Sequence, residues 1–414
     1  MRSAFFMALI VVTVPGPAQA AEVQVNVRTS GAQANSAVAA SIVGNAVIVW
    51  SSYHTTSGRS NDIFARRLGS TGAFVGDEFR VNVMTQGNQT EPAVAMDPQG
   101  RFAIVWQGPG FDQEDIFLRL FRPDGSAVTG DLLIHADTAG RQLYPGVAAG
   151  GTGALTVVWE SRETTAEGER AVVLAQRFDP NGSGLGDPIV VDTDVYDCRY
   201  PEVAMDGTGR FAVTWMRDRS NHPIVTRLFD ATGVPLTDPL VVNTGSIASV
   251  TRPSIAMNTL GCFVVTWDGH PVRASEDDIY ARLYDPNGMP RGEPFVVNTI
   301  RAGAQQWPQA AINNVNELVI AWEHDTGDPN AATEIAARYF DGSGVPVGEQ
   351  FQLNTYTSDL QRYPDVAMTN DGFFLAAWES DGQDGSGYGV FGGFEASPLP
   401  VDPNEGDRGA QPVP

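Results

Sequence analysis

Lysine is absent from this sequence of 414 residues: all 26 basic residues are arginine. No Schiff-base or phosphate-cradling lysine can be built, which excludes P-loop and kinase-type chemistry. Positive charge is scarce altogether, 26 basic residues against 49 acidic, for a formal net charge of −23. A surface of that sign repels nucleic-acid phosphates and anionic membranes, so neither is an expected partner. Charged residues are few, 18% against 42% hydrophobic, and a chain so apolar is not a disordered one. Long apolar runs are lacking as well; none reaches the ~20 residues that span a bilayer, and no membrane insertion is expected.

The one sustained apolar run, Ala4 to Val14, follows Arg2 and leads through Pro15-Gly16-Pro17 to Ala18-Gln19-Ala20, an A-x-A cleavage signature. Residues 1–20 therefore read as a signal peptide, and the mature chain as exported, periplasmic or extracellular. At the other end, residues 397–414 are rich in Pro, Asp and Gly without an apolar period, and are expected to form a disordered tail.

Between them, seven of the eight tryptophans stand at Trp50, Trp106, Trp159, Trp215, Trp267, Trp322 and Trp378, spaced by 56, 53, 56, 52, 55 and 56 residues. Each ends a short Val-, Ile- or Phe-rich run such as Phe102 to Trp106, a strand apolar on both faces that must be covered on both sides. A small-residue strand precedes each run, for example Ala93-Val94-Ala95-Met96, and a third and fourth strand follow, for example Asp115 to Phe121 and Leu132 to His135. The first three strands occur seven times, the fourth only six times downstream of Trp50. The missing one is Val23-Gln24-Val25-Asn26-Val27, which matches Phe79-Arg80-Val81-Asn82-Val83. Residues 21–396 thus read as an all-β, seven-bladed β-propeller of four-stranded blades, closed by the N-terminal strand completing the last blade. Recurrent features are scaffold on this view, including the third-strand arginines Arg66, Arg119, Arg227, Arg282 and Arg338, expected to meet acids or carbonyls between blades. Cys198 and Cys262 fall at opposite ends of successive blades, too far apart to bridge, and are expected as free thiols.

The stretch Glu379-Ser380-Asp381-Gly382-Gln383-Asp384-Gly385-Ser386-Gly387-Tyr388-Gly389-Val390, preceded by Phe351 to Thr357, resembles β-propeller repeats of large secreted bacterial surface proteins that accompany RTX or cadherin-like modules. The resemblance covers residues 22–396 and implies the blade architecture, but no family-wide activity. The Gly-Gly-x-Gly-x-Asp nonapeptides of calcium rolls are missing. Among the acidic loops after the Trp strands, Asp381 and Asp384 amid glycines make the best candidate for a calcium loop; no other cofactor is expected.

The five histidines show no zinc spacing, and no G-x-S-x-G elbow or sialidase-type box occurs. The candidate site is therefore the face on which loops pass from one blade to the inner strand of the next. Before the Pro that begins most inner strands stand Glu91, Tyr144, Tyr200, Arg252, Trp307 and Tyr363, with Asn35 matching in the first blade. Gln89, Gln142, Gln305 and Gln361 lie three residues before the Pro, with Gln33 in register, and Arg199 and Arg362 are interleaved. Flat rings with polar tips beside Gln and Arg donors suit sugars or extended peptides. The leading expectation is a non-catalytic, monomeric binding or adhesion module for a glycan, peptide or cell-surface protein. The alternatives are a carbohydrate-active hydrolase or lyase and a calcium-stabilised spacer. A catalytic reading requires a convergent acid pair with displaced pKa values in the axial pocket.

Overall fold

The computed structural model describes residues 22–396 apart from 55–59, 111–112, 136–139, 166–167, 193–195, 220–221, 245–246, 249–251, 272–275 and 328–331. The expected signal peptide and tail lie outside the described residues. Among these there is no helix; the chain forms seven antiparallel sheets. Blade 2 is representative, running from the inner strand Thr90–Met96 through Phe102–Pro109 and Glu114–Phe121 to the outer Leu132–Leu133. The inner strands contact one another all the way round, so the ring is closed.

Closure follows the expected route. Val23–Gln24 pairs with Tyr388–Ala396 of blade 7, and the backbone continues with Val25 N–H donating to Val390 O at 2.8 Å. Glu22 fastens this strand to blade 6 by accepting the Thr355 N–H at 2.7 Å, and to the loop of blade 7 by accepting the Gln383 side-chain amide at 3.0 Å. Except in blade 6, where the outer strand runs Pro346–Gln352, the outer strands are shorter than the sequence suggests. In blades 1, 4, 5, 6 and 7 an asparagine side chain takes over the ladder: the Oδ1 of Asn82, Asn243, Asn298, Asn354 and Asn26 accepts the N–H of Ile63, Ile224, Ile279, Ile335 and Val390 at 2.8–2.9 Å. A side chain that replaces a backbone acceptor ends the regular strand.

The core is a sandwich between successive blades. Trp50, Trp106, Trp159, Trp215, Trp267, Trp322 and Trp378 are its largest fully buried side chains, in clusters that span neighbouring sheets. The third-strand arginines cross to the outer strand of the preceding blade, where Arg66, Arg227 and Arg338 each donate to a carbonyl, of Val25, Val191 and Val297, at 2.9 Å. Both thiols are free, Cys198 buried against Asp192.

One recurrent irregularity positions everything that follows. In six blades the pairing slips so that two inner-strand residues face a single tryptophan: 35–36 opposite Trp50, 91–92 opposite Trp106, 144–145 opposite Trp159, 200–201 opposite Trp215, 307–308 opposite Trp322 and 363–364 opposite Trp378. These are β-bulges, and they explain why proline is tolerated inside a strand: at the bulge no ladder N–H is required. Pro364 lies within Gln361–Met368 and does not begin it, contrary to the sequence expectation.

Candidate functional site

The first residue of each bulge is left-handed. Asn35, Glu91, Tyr144, Tyr200, Trp307 and Tyr363 have φ between 49° and 56°, and none is glycine. Such a conformation costs about 1–2 kcal/mol for a residue with a Cβ. Its repetition in six blades turns one side chain per blade toward the axis. Together with Arg252 of blade 5 these residues ring the mouth of a cavity of about 410 Å³ on the propeller axis.

The ring is uneven. Blades 3 to 7 contribute Tyr144, Tyr200, Arg252, Trp307 and Tyr363; blades 1 and 2 contribute Asn35 and Glu91. Tyr144 and Tyr200 meet edge-on with centroids 4.9 Å apart, and Trp307 and Tyr363 do the same at 4.9 Å. The Arg252 guanidinium lies between the pairs, 5.0 Å from the Tyr144 ring centroid, 4.6 Å from Tyr200 and 4.8 Å from Trp307. Stacking of this kind fixes a guanidinium while leaving donors for a ligand. Glu91 faces Arg252 from the polar side; burial raises its carboxyl and Arg252 restrains the rise.

Below this ring, one residue past each proline, stand Ala37, Ala93, Gly146, Glu202, Ser254, Gln309 and Asp365. Glu202 and Asp365 line the cavity from blades 4 and 7, on opposite sides of the axis. Burial pushes the Glu202 carboxyl up to about 8, with the charge of Asp365 adding to the rise and Arg252 opposing it. Asp365 is pushed up by burial only to about 6, because its two oxygens accept the N–H groups of Val38 at 2.7 Å and Val366 at 2.8 Å. Both remain partly open to the cavity. At neutral pH one member of the pair is held protonated and the other ionised. Ser254 Oγ donates to Gln309 Oε1 at 2.7 Å between them in the ring.

The structure thus gathers five of the proposed ligand residues, Tyr144, Tyr200, Arg252, Trp307 and Tyr363, at one cavity. The glutamines are not among them. Gln89, Gln305 and Gln361 are 0% exposed and Gln142 2%. Their Oε1 atoms accept the indole N–H of Trp106, Trp322, Trp378 and Trp159 at 2.8–3.2 Å. A buried indole donor needs a partner, and these side chains are spent on that task. In blade 4 the position is Cys198, and Trp215 donates instead to Asp192 at 2.9 Å. Arg199 pairs with Asp197 and Asp218, each at 3.2 Å, and Arg362 donates to the Tyr388 hydroxyl at 3.2 Å; neither lines the cavity. Asp384 accepts from Asn26 at 3.1 Å and from the Ser386 N–H at 2.9 Å. Among the described residues no group of three or more His, Cys, Asp or Glu side chains could hold a metal ion. Glu202 and Asp365 escaped the sequence reading because they lie 163 positions apart among 49 acids; shifting the aligned column from before the proline to after it isolates them.

Fold and cavity define a seven-bladed propeller with an acid pair and an aromatic rim on its axis. No family model matches the chain, and no curated protein matches it. Of the likeness to RTX- and cadherin-associated repeats, the seven-bladed architecture is what stands. Solved structures do share the fold. One is an ulvan lyase, a polysaccharide lyase bound to a GlcA(1-4)Rha3S unit, 12% identical over 89% of this chain and 95% of that one, TM-score 0.58. Another is a Dyadobacter fermentans protein of unknown function, 12% identical over 92% of this chain and 100% of the other, TM-score 0.53. A Penicillium chrysogenum α-L-arabinanase complexed with arabinobiose is 10% identical over 73% and 92%, TM-score 0.50. At these identities the likeness speaks for the fold.

The expectation of a non-catalytic binding or adhesion module is corrected at this point. Propellers of this shape include carbohydrate-active enzymes, a lyase and an arabinanase. The cavity also holds what the catalytic reading required, a convergent acid pair with displaced pKa values. A spacer would leave that pair unexplained.

Proposed function

We propose that the protein is an exported carbohydrate-active enzyme, a glycoside hydrolase that cleaves a saccharide chain seated across the axial cavity. The observation that carries this reading is the pair Glu202 and Asp365. Two carboxyls whose environments push their pKa values apart divide acid and base work between them. Glu202, protonated at neutral pH, gives its proton to the glycosidic oxygen as the bond to the anomeric carbon breaks. Asp365, ionised and fixed by two backbone N–H groups, takes a proton from the attacking water, whose oxygen joins that carbon. One water is consumed and each carboxyl ends with the other's protonation state. The rings of Tyr144, Tyr200, Trp307 and Tyr363 supply flat walls for sugar faces.

Hydrolysis is favoured over β-elimination by the groups present. Elimination calls for a base of tyrosinate or imidazole type; burial raises the Tyr144 and Tyr363 phenols, and no histidine is among the described residues lining the cavity. The test is a panel of polysaccharides incubated with the mature protein, reading new reducing ends and the ultraviolet absorbance of unsaturated sugars separately. Reducing ends without unsaturation are expected, and their loss in Glu202→Gln and Asp365→Asn. Unsaturated products would replace hydrolysis with elimination. Turnover unchanged in both variants would sink the assignment of the pair.

A further inference from the structure

The residue directly after the blade tryptophan varies, Ser51, Gln107, Glu160, Met216, Asp268, Glu323 and Glu379, and three of the seven are glutamates buried behind the cavity rim. We infer that Glu160, Glu323 and Glu379 are positioning residues, each gripping the backbone N–H of the left-handed rim residue in the next blade and so aiming that side chain into the cavity.

The hydrogen bond forms across two blade boundaries, and at a third the carboxyl occupies the same place. Glu379 Oε1 accepts the Asn35 N–H at 2.5 Å, across the closure of the ring. Glu160 Oε2 accepts the Tyr200 N–H at 3.3 Å while its other oxygen takes the Arg162 guanidinium at 2.6 Å. Glu323 stands at the equivalent place behind Tyr363, near enough for the Tyr363 N–H to restrain the rise that burial causes in its carboxyl, and its Oε2 is a buried acceptor without a hydrogen-bond partner. All three lie deep, Glu160 0%, Glu379 3% and Glu323 8% exposed. Burying a carboxyl is unfavourable, and here burial raises all three, Glu323 and Glu379 to about 7. A fold needing only a spacer at this position has Met216 as its own precedent. What the carboxyl supplies is an acceptor for an N–H that the bulge has taken out of the ladder, at a residue whose φ of 50–55° is strained and would relax if released. Conformation at the rim is thus set from the neighbouring blade and fixed before any ligand arrives, which is the arrangement a preorganised site requires.

The inference takes its purpose from the reading of this cavity as the active site, but its test needs no turnover. Seven tryptophans are at most 1% exposed, so Trp307 is the one indole that a solute can reach. It lies against the Tyr363 ring that Glu323 aims. Collisional quenching of tryptophan fluorescence by acrylamide therefore reads the rim. Glu323→Leu should raise the quenching constant about twofold, and Glu323→Gln, which keeps a carbonyl acceptor, should restore the wild-type value. If Glu323→Leu fails to fold, Glu323→Asp, which withdraws the acceptor by one methylene, must show the rise instead. Folded protein with unchanged quenching in the Leu or Asp variant overturns the inference, as does a Gln variant that behaves like Leu. Wild-type protein that cleaves no polysaccharide while these quenching shifts occur would remove the hydrolase reading alone.

Discussion

Two layers of this molecule, a rim on the inner strands and a tryptophan layer on the strands paired with them, are built on opposite rules. In the tryptophan layer the side chain repeats: an indole in every blade, capped by glutamine in four of them. In the rim the backbone repeats and the side chain does not: a left-handed bulge residue that is Asn, Glu, Tyr, Tyr, Trp or Tyr. Repeated side chains are what packing between identical sheets demands. A repeated strained backbone carrying different side chains is a mount, and what is mounted is one asymmetric site. The comparison separates scaffold from site inside a single chain.

It can be broken from either layer. The largest effect is expected just beneath the rim, where Glu202→Gln or Asp365→Asn should lower turnover of a cleaved polysaccharide by about 10²–10⁴-fold with the fold intact. In the tryptophan layer the effect should be entirely on stability: Trp106→Ala should destabilise by ~3–5 kcal/mol in denaturant titration. Gln89→Leu, which strands the indole N–H of Trp106, should destabilise by roughly 1–3 kcal/mol. A Gln89 variant of normal stability and altered substrate binding would return the glutamine to the site.

A smaller, diagnostic effect is on pH. Turnover needs Asp365 ionised and Glu202 protonated, so kcat/KM should fall below about 6 and again above about 8, with apparent values belonging to the coupled pair. Stability should change in one direction. Below the ordinary carboxylate range these acids are neutral in folded and unfolded chains alike, and burial then carries no ionic penalty. Above it the unfolded chain ionises while Glu202, Glu323, Glu379 and Asp365 resist, so stability falls as pH rises from about 5 through 8. Calorimetry across that range checks this, and Glu202→Gln should flatten the slope. Smallest of all, Trp307→Ala and Tyr363→Ala should weaken saccharide binding about tenfold without the stability loss of a core aromatic. Loss of ~3–5 kcal/mol in both would move the rim into the scaffold.

The sequence alone determined the ring: the near-regular spacing of seven tryptophans demands a repeat, and a fourth strand displaced from the end to Val23–Val27 demands closure. It also brought Tyr144, Tyr200, Arg252, Trp307 and Tyr363 into one column, since a column of aligned residues in a closed repeat is a circle in space. Only the tertiary structure decided which way each column points. Gln89 and Glu91 are two residues apart and would share a face of a regular strand, yet one is buried under an indole and the other opens on the axis. The intervening bulge rotates the chain there, and its left-handed φ belongs to residue types, Tyr, Trp and Glu, that give no warning of it. The acid pair was hidden for the same reason. Proximity of Glu202 and Asp365 comes from curling three blades around an axis, and the displaced protonation that distinguishes them comes from burial and from the N–H groups of Val38 and Val366, neither of which a linear sequence displays.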